Sequence, residues 1–306
     1  MPLPHHDPDR PQAVSAPADR RRVAGALLLV VAFMAAELVT GLISHSLALL
    51  SDAGHMLTDA GALGLSLLAM RLAAQPPRGG LTFGLKRTEI LSALANGMAL
   101  FVVAALVVFE SVRRLAAPPT VDARWMLGVA LAGVAVNVAV AGQLQGAHRH
   151  SLNLRGSLQH VLTDLYAFAA TIAAALVILT TGFGRADAAA SLVVAALMVR
   201  AGYSLVRDAT RVLLEAAPEG IAADDLGALL AGHHDVLDVH DFHVWEITSG
   251  LPALSAHVMV EPGADCHAIR RELEDEVRAR FSIEHTTLQV DHADEPPGLI
   301  QIQRAK

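Results

Sequence analysis

Six apolar runs, broken by short polar or Pro/Gly-rich stretches, fill the first two thirds of the chain: Val23 to Ser44, Leu47 to Leu72, Ile90 to Leu115, Trp125 to Leu144, Leu158 to Thr180 and Ala188 to Val206. A helix needs roughly 20 apolar residues to cross a hydrocarbon core of about 30 Å, so the pattern predicts six transmembrane helices. The first two runs are separated by little more than Ser44-His45-Ser46, which forces a tight helical hairpin. Between the second and third lies AAQPPRGGLTFGLKR, whose Pro-Pro and Gly-Gly pairs end one helix before the next begins.

After Arg211 the pattern becomes charged and water-compatible for about 90 residues, enough for a small separate domain. Its periodicity predicts a helix at Ala222 to Ala231, strands at Val236 to Thr248 and Ala253 to Val260, a helix at Cys266 to Phe281 and a strand at His285 to Asp291. This α-β-β-α-β order suits a ferredoxin-like α+β sandwich. The expected organisation is a disordered tail over 1–22, a six-helix α-helical membrane domain over 23–207, a cytoplasmic domain over 208–295 and a C-terminal tail over 296–306.

Composition agrees with lipid as the solvent for half the chain: 53% hydrophobic and only 17% charged residues among 306, with mean hydropathy +0.45. The formal charge of −7 excludes the basic footprint of a nucleic-acid binder. A single cysteine, Cys266, excludes an intrachain disulfide and a thiolate zinc cluster, leaving imidazole and carboxylate as metal donors. The N-terminal MPLPHHDPDRPQAVSAPADRRR reads as a solvated tail, including His5 and His6, and not as a cleavable signal. Basic residues collect on one side of the spans (Arg20, Arg21, Arg22, Arg78, Lys86, Arg87, Arg149, Arg155, Arg207, Arg211), which puts both termini in the cytoplasm. Arg113, Arg114 and Arg124, between the third and fourth runs, run against that rule.

Ionisable groups inside the apolar runs carry the candidate chemistry. The second run contains Asp52, His55 and Asp59; the fifth contains His160 and Asp164, and the words HMLTD and HVLTD differ at one position. Residues i and i+4 share a helix face, so each His/Asp pair can grip one object. Facing each other, the pairs would offer two imidazoles and two carboxylates, a set that suits tetrahedral Zn²⁺. An Asp at the membrane centre costs roughly 2.5–3.5 kcal/mol, and such residues usually mark an ion path. A divalent cation offsets that cost, and when it leaves, protons compete for the same atoms. Asn96, Asn137, Glu37 and Glu110 read instead as interhelical hydrogen-bonding residues.

The run from Glu37 through GLISHSLALLSDAGHMLTD, the stretch FGLKRTEILSALANG, the second HVLTD and the six-helix-plus-soluble-domain plan resemble the cation diffusion facilitator family, especially its zinc-transporting branch. The resemblance covers nearly the whole chain from about Arg22. It implies a homodimer in the cytoplasmic (inner) membrane that exports Zn²⁺, with Cd²⁺ or Co²⁺ as further cargo, in exchange for H⁺ by alternating access. His55, Asp59, His160 and Asp164 would be the transport ligands, and histidine at position 55 points to zinc where manganese or iron branches place Asp. The loop after the second helix lacks the Asp and His of a further metal site found in some members, so none is expected there. Asp52 could assist ion entry or proton transfer, or cap and hydrogen-bond between helices.

The resemblance also pairs Arg87 with Glu215 across the dimer, an exposed pairing that contributes only about 0–1 kcal/mol. His148 and His150 sit where relatives carry a histidine-rich loop; an ordinary basic turn is the competing reading. In the cytoplasmic domain, His240, His257, His267 and Asp291 occupy positions used for regulatory zinc in some relatives, while Gln289 replaces a further histidine. Strand alternation puts His240 and His243 on opposite faces unless a bulge intervenes. Two other functions compete with transport: a membrane zinc sensor that passes no ion, and a membrane zinc hydrolase, for which the H-E-x-x-H signature is missing.

Overall fold

The structure is a computed structural model that describes residues 17–44, 47–117, 123–145 and 151–293. Within these ranges, the side chains at 17–18, 37, 40–41, 43–44, 47–55, 58 and 145 lie outside the description. Both expected tails beyond these limits, and His5, His6, His148 and His150, therefore fall outside the described residues, as do the side chains of Glu37, Asp52 and His55.

The chain divides into two compact units at Leu213/Leu214. The first contains six helices: α1 Pro17–Ser44, α2 Leu47–Ala73, α3 Thr88–Ala116, α4 Ala123–Gln145, α5 Leu152–Thr181 and α6 Ala186–Leu213. Among the described residues, α3, α4, α5 and α6 are long and apolar enough to cross a membrane. Several ends differ from the apolar runs. α1 starts at Pro17, inside the stretch expected to be a disordered tail; a first-turn proline loses no helical hydrogen bond, and Asp19 complements the helix dipole there. α5 starts at Leu152, where the Ser151 hydroxyl accepts the Leu154 N–H. α6 runs on to Leu213, past the expected boundary at 207. The added turns are polar, so hydropathy cannot announce them.

Residues from α1, α2, α4 and α5 form the main apolar core, with Val23, Val30, Leu63, Met70, Val140 and Val161 at its centre. α3 packs on α6 through small residues. A Cβ on Gly97 would stand 2.8 Å from Val206 Cγ2, and one on Gly202 would stand 3.0 Å from the Gly97 carbonyl oxygen. In lipid, where burial of apolar surface gives little, such close backbone approach supplies van der Waals contact. At the far end of this pair, Arg114 binds Glu110 at 2.9 Å and Asp187 of α6 at 3.3 Å, and Arg113 binds Glu110 at 3.3 Å. Glu110 is thus paired within its own helix, and two of the arginines that strain the orientation rule are neutralised in place.

The second unit contains α7 Ala223–Ala231, β1 Val236–Thr248, β2 Leu251–Val260, α8 Cys266–Phe281 and β3 His285–His292, the α-β-β-α-β order of the sequence pattern. The sheet order is β1-β2-β3. The β1/β2 hairpin is antiparallel, while β3 lies parallel to β2 because α8 makes the crossover. Leu226, Leu230, Leu254, Val258, Leu273 and Val277 close the core between helices and sheet. At the start of α8, the Asp265 carboxylate accepts the backbone N–H groups of Ala268 and His267, both at 3.0 Å. These bonds, that to Ala268 first, hold its pKa below the ordinary aspartate value.

Candidate metal centre

Polar hydrogen bonds join the helices that carry the ionisable residues. Ser66 of α2 and Ser157 of α5 meet at 2.8 Å, Asn153 Nδ2 donates to the Ser66 carbonyl at 3.0 Å, and Asn96 Nδ2 of α3 donates to Ser66 Oγ at 3.4 Å. Since Ser157 Oγ donates to the Asn153 carbonyl, the Ser66 hydroxyl is left to donate to Ser157, and the chain of bonds closes without an orphan hydroxyl. Asn96 thus makes the interhelical bond that its sequence context suggests. Asn137 instead donates to Gly133 O of its own helix, because that carbonyl lies one turn away and competes successfully.

This network sits on the stripe that carries the candidate ligands. On α5, Asn153, Ser157, His160 and Asp164 follow helical spacing along one buried face, and on α2 Asp59 lies two turns before Ser66. His160 Nε2 stands 2.8 Å from Asp59 Oδ1 and 3.9 Å from Asp164 Oδ2. Donor atoms of the three residues all lie within 4.8 Å of one another. In a tetrahedral zinc shell with bonds of about 2.0–2.1 Å, neighbouring donors are about 3.3 Å apart. The 2.8 and 3.9 Å separations bracket that edge, so the three side chains lie within reach of one common ion. His160 and Asp164 are 7% and 4% exposed, respectively, so this is a desolvated site in which the charges need one another. Position 55 lies in α2 one turn before Asp59, and the side chain of His55 is among those not described.

The cytoplasmic candidates are arranged differently. His240 of β1 pairs with His257 of β2, their rings 5.4 Å apart and edge-on. Between His240 and His243 the register shifts by one residue, and Asp241 takes a left-handed φ of 50°. This bulge sets His243 opposite Ser255, on the same face as His240, which simple alternation forbids. Asp241 then lies 3.0 Å from His243 Nε2 and 3.8 Å from His257 Nε2. His267 is in the first turn of α8, and Asp291, on β3, accepts from Gln289 at 2.7 Å. Among the described residues these four candidates do not form a group of converging donors within one chain.

A second converging group escaped the sequence reading: His233, His234 and Asp235, in the turn between α7 and β1. Its signal in the sequence is the bare word GHHD, which carries no helical or strand spacing.

Comparison with known proteins agrees with this architecture. The profile of the cation efflux transmembrane domain matches residues 23–214, and that of the cation efflux protein cytoplasmic domain matches residues 218–293. The chain is 36% identical over 279 residues to the cadmium, cobalt and zinc/H(+)-K(+) antiporter of Bacillus subtilis, covering 90% of this chain and 89% of that protein. It is also 36% identical over 274 residues to the zinc transporter ZitB of Escherichia coli, covering 89% and 87%. To the metal cation efflux system protein CzcD of Cupriavidus metallidurans it is 34% identical over 269 residues, covering 88% and 85%. With both domains matched in order, and a carboxylate–imidazole cluster held between α2 and α5, the chain belongs to the cation diffusion facilitator family of cation efflux proteins.

Proposed function

We propose that this protein is a proton-coupled exporter of Zn²⁺, and of Cd²⁺ or Co²⁺, that holds its cargo between α2 and α5 on His55, Asp59, His160 and Asp164. The observation that carries the reading is the convergence of Asp59 with His160 and Asp164 across two helices in a desolvated setting. All six helices cross the inner membrane, both termini are cytoplasmic, and the working unit is a homodimer. The names of the Bacillus antiporter and the Escherichia zinc transporter support metal transport, that of the Cupriavidus efflux protein supports its outward direction, and the cytoplasmic-domain match supports the soluble unit's place in a dimer.

The coupling follows from donor chemistry. An imidazole binds a cation only through an unprotonated nitrogen, and a carboxylate only when ionised, so each arriving cation displaces protons and each departing cation leaves room for them. The 2.8 Å approach of His160 Nε2 to Asp59 supports this competition: in the tautomer that carries its proton on Nε2, His160 donates to Asp59, so a proton occupies the atom that a cation would need. Rocking of the helices then exposes one occupant to one side at a time, with loading favoured where protons are scarce. No bond in the cargo is made or broken; the protein is a secondary active transporter and not an enzyme.

Purified protein in proteoliposomes with an imposed pH gradient tests the reading. Zn²⁺ should accumulate while the gradient lasts and stop when an ionophore collapses it. Tight binding without accumulation would replace export with sensing.

A further inference from the structure

We propose a second cation site in the soluble unit, formed by His233, His234 and Asp235 of the α7–β1 turn together with Glu272 of α8. It is separate from His240 and His257, which lie on the strands, and it takes a borderline transition-metal ion such as Zn²⁺ or Co²⁺.

The turn is built to present donors. Leu230, fully buried, anchors its start, the Val236 N–H donates to the His233 carbonyl at 3.1 Å, and β1 begins there. The side chain of His233 is only 7% exposed and its ring stacks on that of His234 with centroids 4.6 Å apart. Two of the donor separations already match a tetrahedral edge of about 3.3 Å. His234 Nε2 lies 3.0 Å from Asp235 Oδ2, and His233 Nε2 lies 3.2 Å from Glu272 Oε2. The backbone N–H of Asp235 donates to His233 Nδ1 at 3.4 Å, a long bond whose loss is small if the ring proton moves to Nδ1 and frees Nε2 for a cation.

A set of two imidazoles and two carboxylates selects against Mg²⁺ and Ca²⁺, which want shells of oxygen, and suits Zn²⁺, Co²⁺ or Ni²⁺. His233 is held in the core side of the turn, whereas His234 and Glu272 have side chains 77% and 60% exposed. The site is open on one side, so its ion exchanges with the surrounding solution, and binding clasps the turn to α8.

The test is a count of Co²⁺ by equilibrium dialysis and visible absorption on the full-length detergent-solubilised chain. Asp59→Ala and Asp164→Ala are present throughout, so that the intramembrane donors do not contribute. His234→Ala and Glu272→Gln, both at exposed side chains, should each weaken one Co²⁺ equivalent at least about tenfold and alter its absorption, while the metal-free melting temperature stays unchanged. His240→Ala combined with His257→Ala should retain that equivalent. Unchanged Co²⁺ stoichiometry and affinity in both His234→Ala and Glu272→Gln would overturn the site. Because the readout is binding in a transport-silent background, it stands or falls independently of flux.

Discussion

The intramembrane cluster and the strand cluster of the soluble unit use the same two side-chain chemistries in opposite surroundings. At the first, the side chains of Asp59, His160 and Asp164 are 13%, 9% and 5% exposed, respectively; at the second, those of His240, Asp241, His243 and His257 are 50%, 60%, 65% and 41% exposed. Two unit charges 4 Å apart interact by about 1 kcal/mol in water and about 4 kcal/mol at an effective dielectric of 20. The buried groups therefore depend on one another and on whatever cation or proton is present. The exposed groups are served by water and tolerate being empty. An obligatory exchange site belongs in the first setting, and an optional, adjustable one in the second.

The largest expected effect breaks this contrast directly. Losing a supporting partner of a metal ligand typically costs 10–100-fold, so Asp59→Ala or Asp164→Ala, which removes a ligand, should lower Zn²⁺ flux in proteoliposomes by more than about 100-fold. His240→Ala with His257→Ala should leave flux of wild-type order; equal losses in the two sets would erase the distinction. Next, His55→Asp replaces nitrogen by oxygen and should move the preference from Zn²⁺ toward Mn²⁺ in competition flux assays. An unchanged ion profile would remove His55 from the ligand set.

Structural support comes third. Gly202→Ala puts a methyl 3.0 Å from the Gly97 carbonyl, a backbone atom that cannot rotate away, and overpacking of this kind destabilises by about 1–3 kcal/mol. Thermal melts in detergent should show it with the ligand residues intact. Ser66→Ala deletes the hub between Ser157 and Asn96, and interhelical bonds of this type contribute about 0.6 kcal/mol, at most about 1.7. A small fall in melting temperature with a larger fall in flux would show that the hub positions the ligands more than it holds the bundle. The smallest effect lies in the soluble unit. Asp265 has a depressed pKa in the folded state, so its contribution is present above the ordinary aspartate pKa and fades as pH falls through the folded value. Asp265→Ala should lower the melting temperature of this unit modestly at neutral pH and by less in acid, where the protonated carboxyl keeps only a weaker, uncharged cap.

Much of the soluble unit was readable because strand and helix periods change cleanly at Gly, Pro and Asp: the observed β1 and α8 limits coincide with the patterned ones. Six helices lie approximately where the six apolar runs place them, and among the described residues four of them, α3 to α6, are long and apolar enough to span a bilayer, since apolar length is a direct consequence of the bilayer. Their ends were not, because α5 begins in Leu152-Asn153-Leu154-Arg155 and α6 ends in polar turns that lie beyond the apolar stretch yet pack on neighbours. At the strand histidines, alternation sorted His240 from His243, and a bulge at Asp241 reversed the sorting. That bulge is a property of pairing between two strands, which no local pattern in β1 records.

From the order of its residues alone, the chain determined that carboxylates and imidazoles would occur four apart inside two apolar helices, since helical period and bilayer thickness are local physics. Only the folded structure decided that Asp59 reaches His160 across a gap of 2.8 Å, that Ser66 and Ser157 bind the two helices beside them, and that His233 meets Glu272 from a helix far along the chain. Those contacts join residues 101, 91 and 39 positions apart, and their distances depend on how whole helices and sheets pack, which is a sum over many side chains at once.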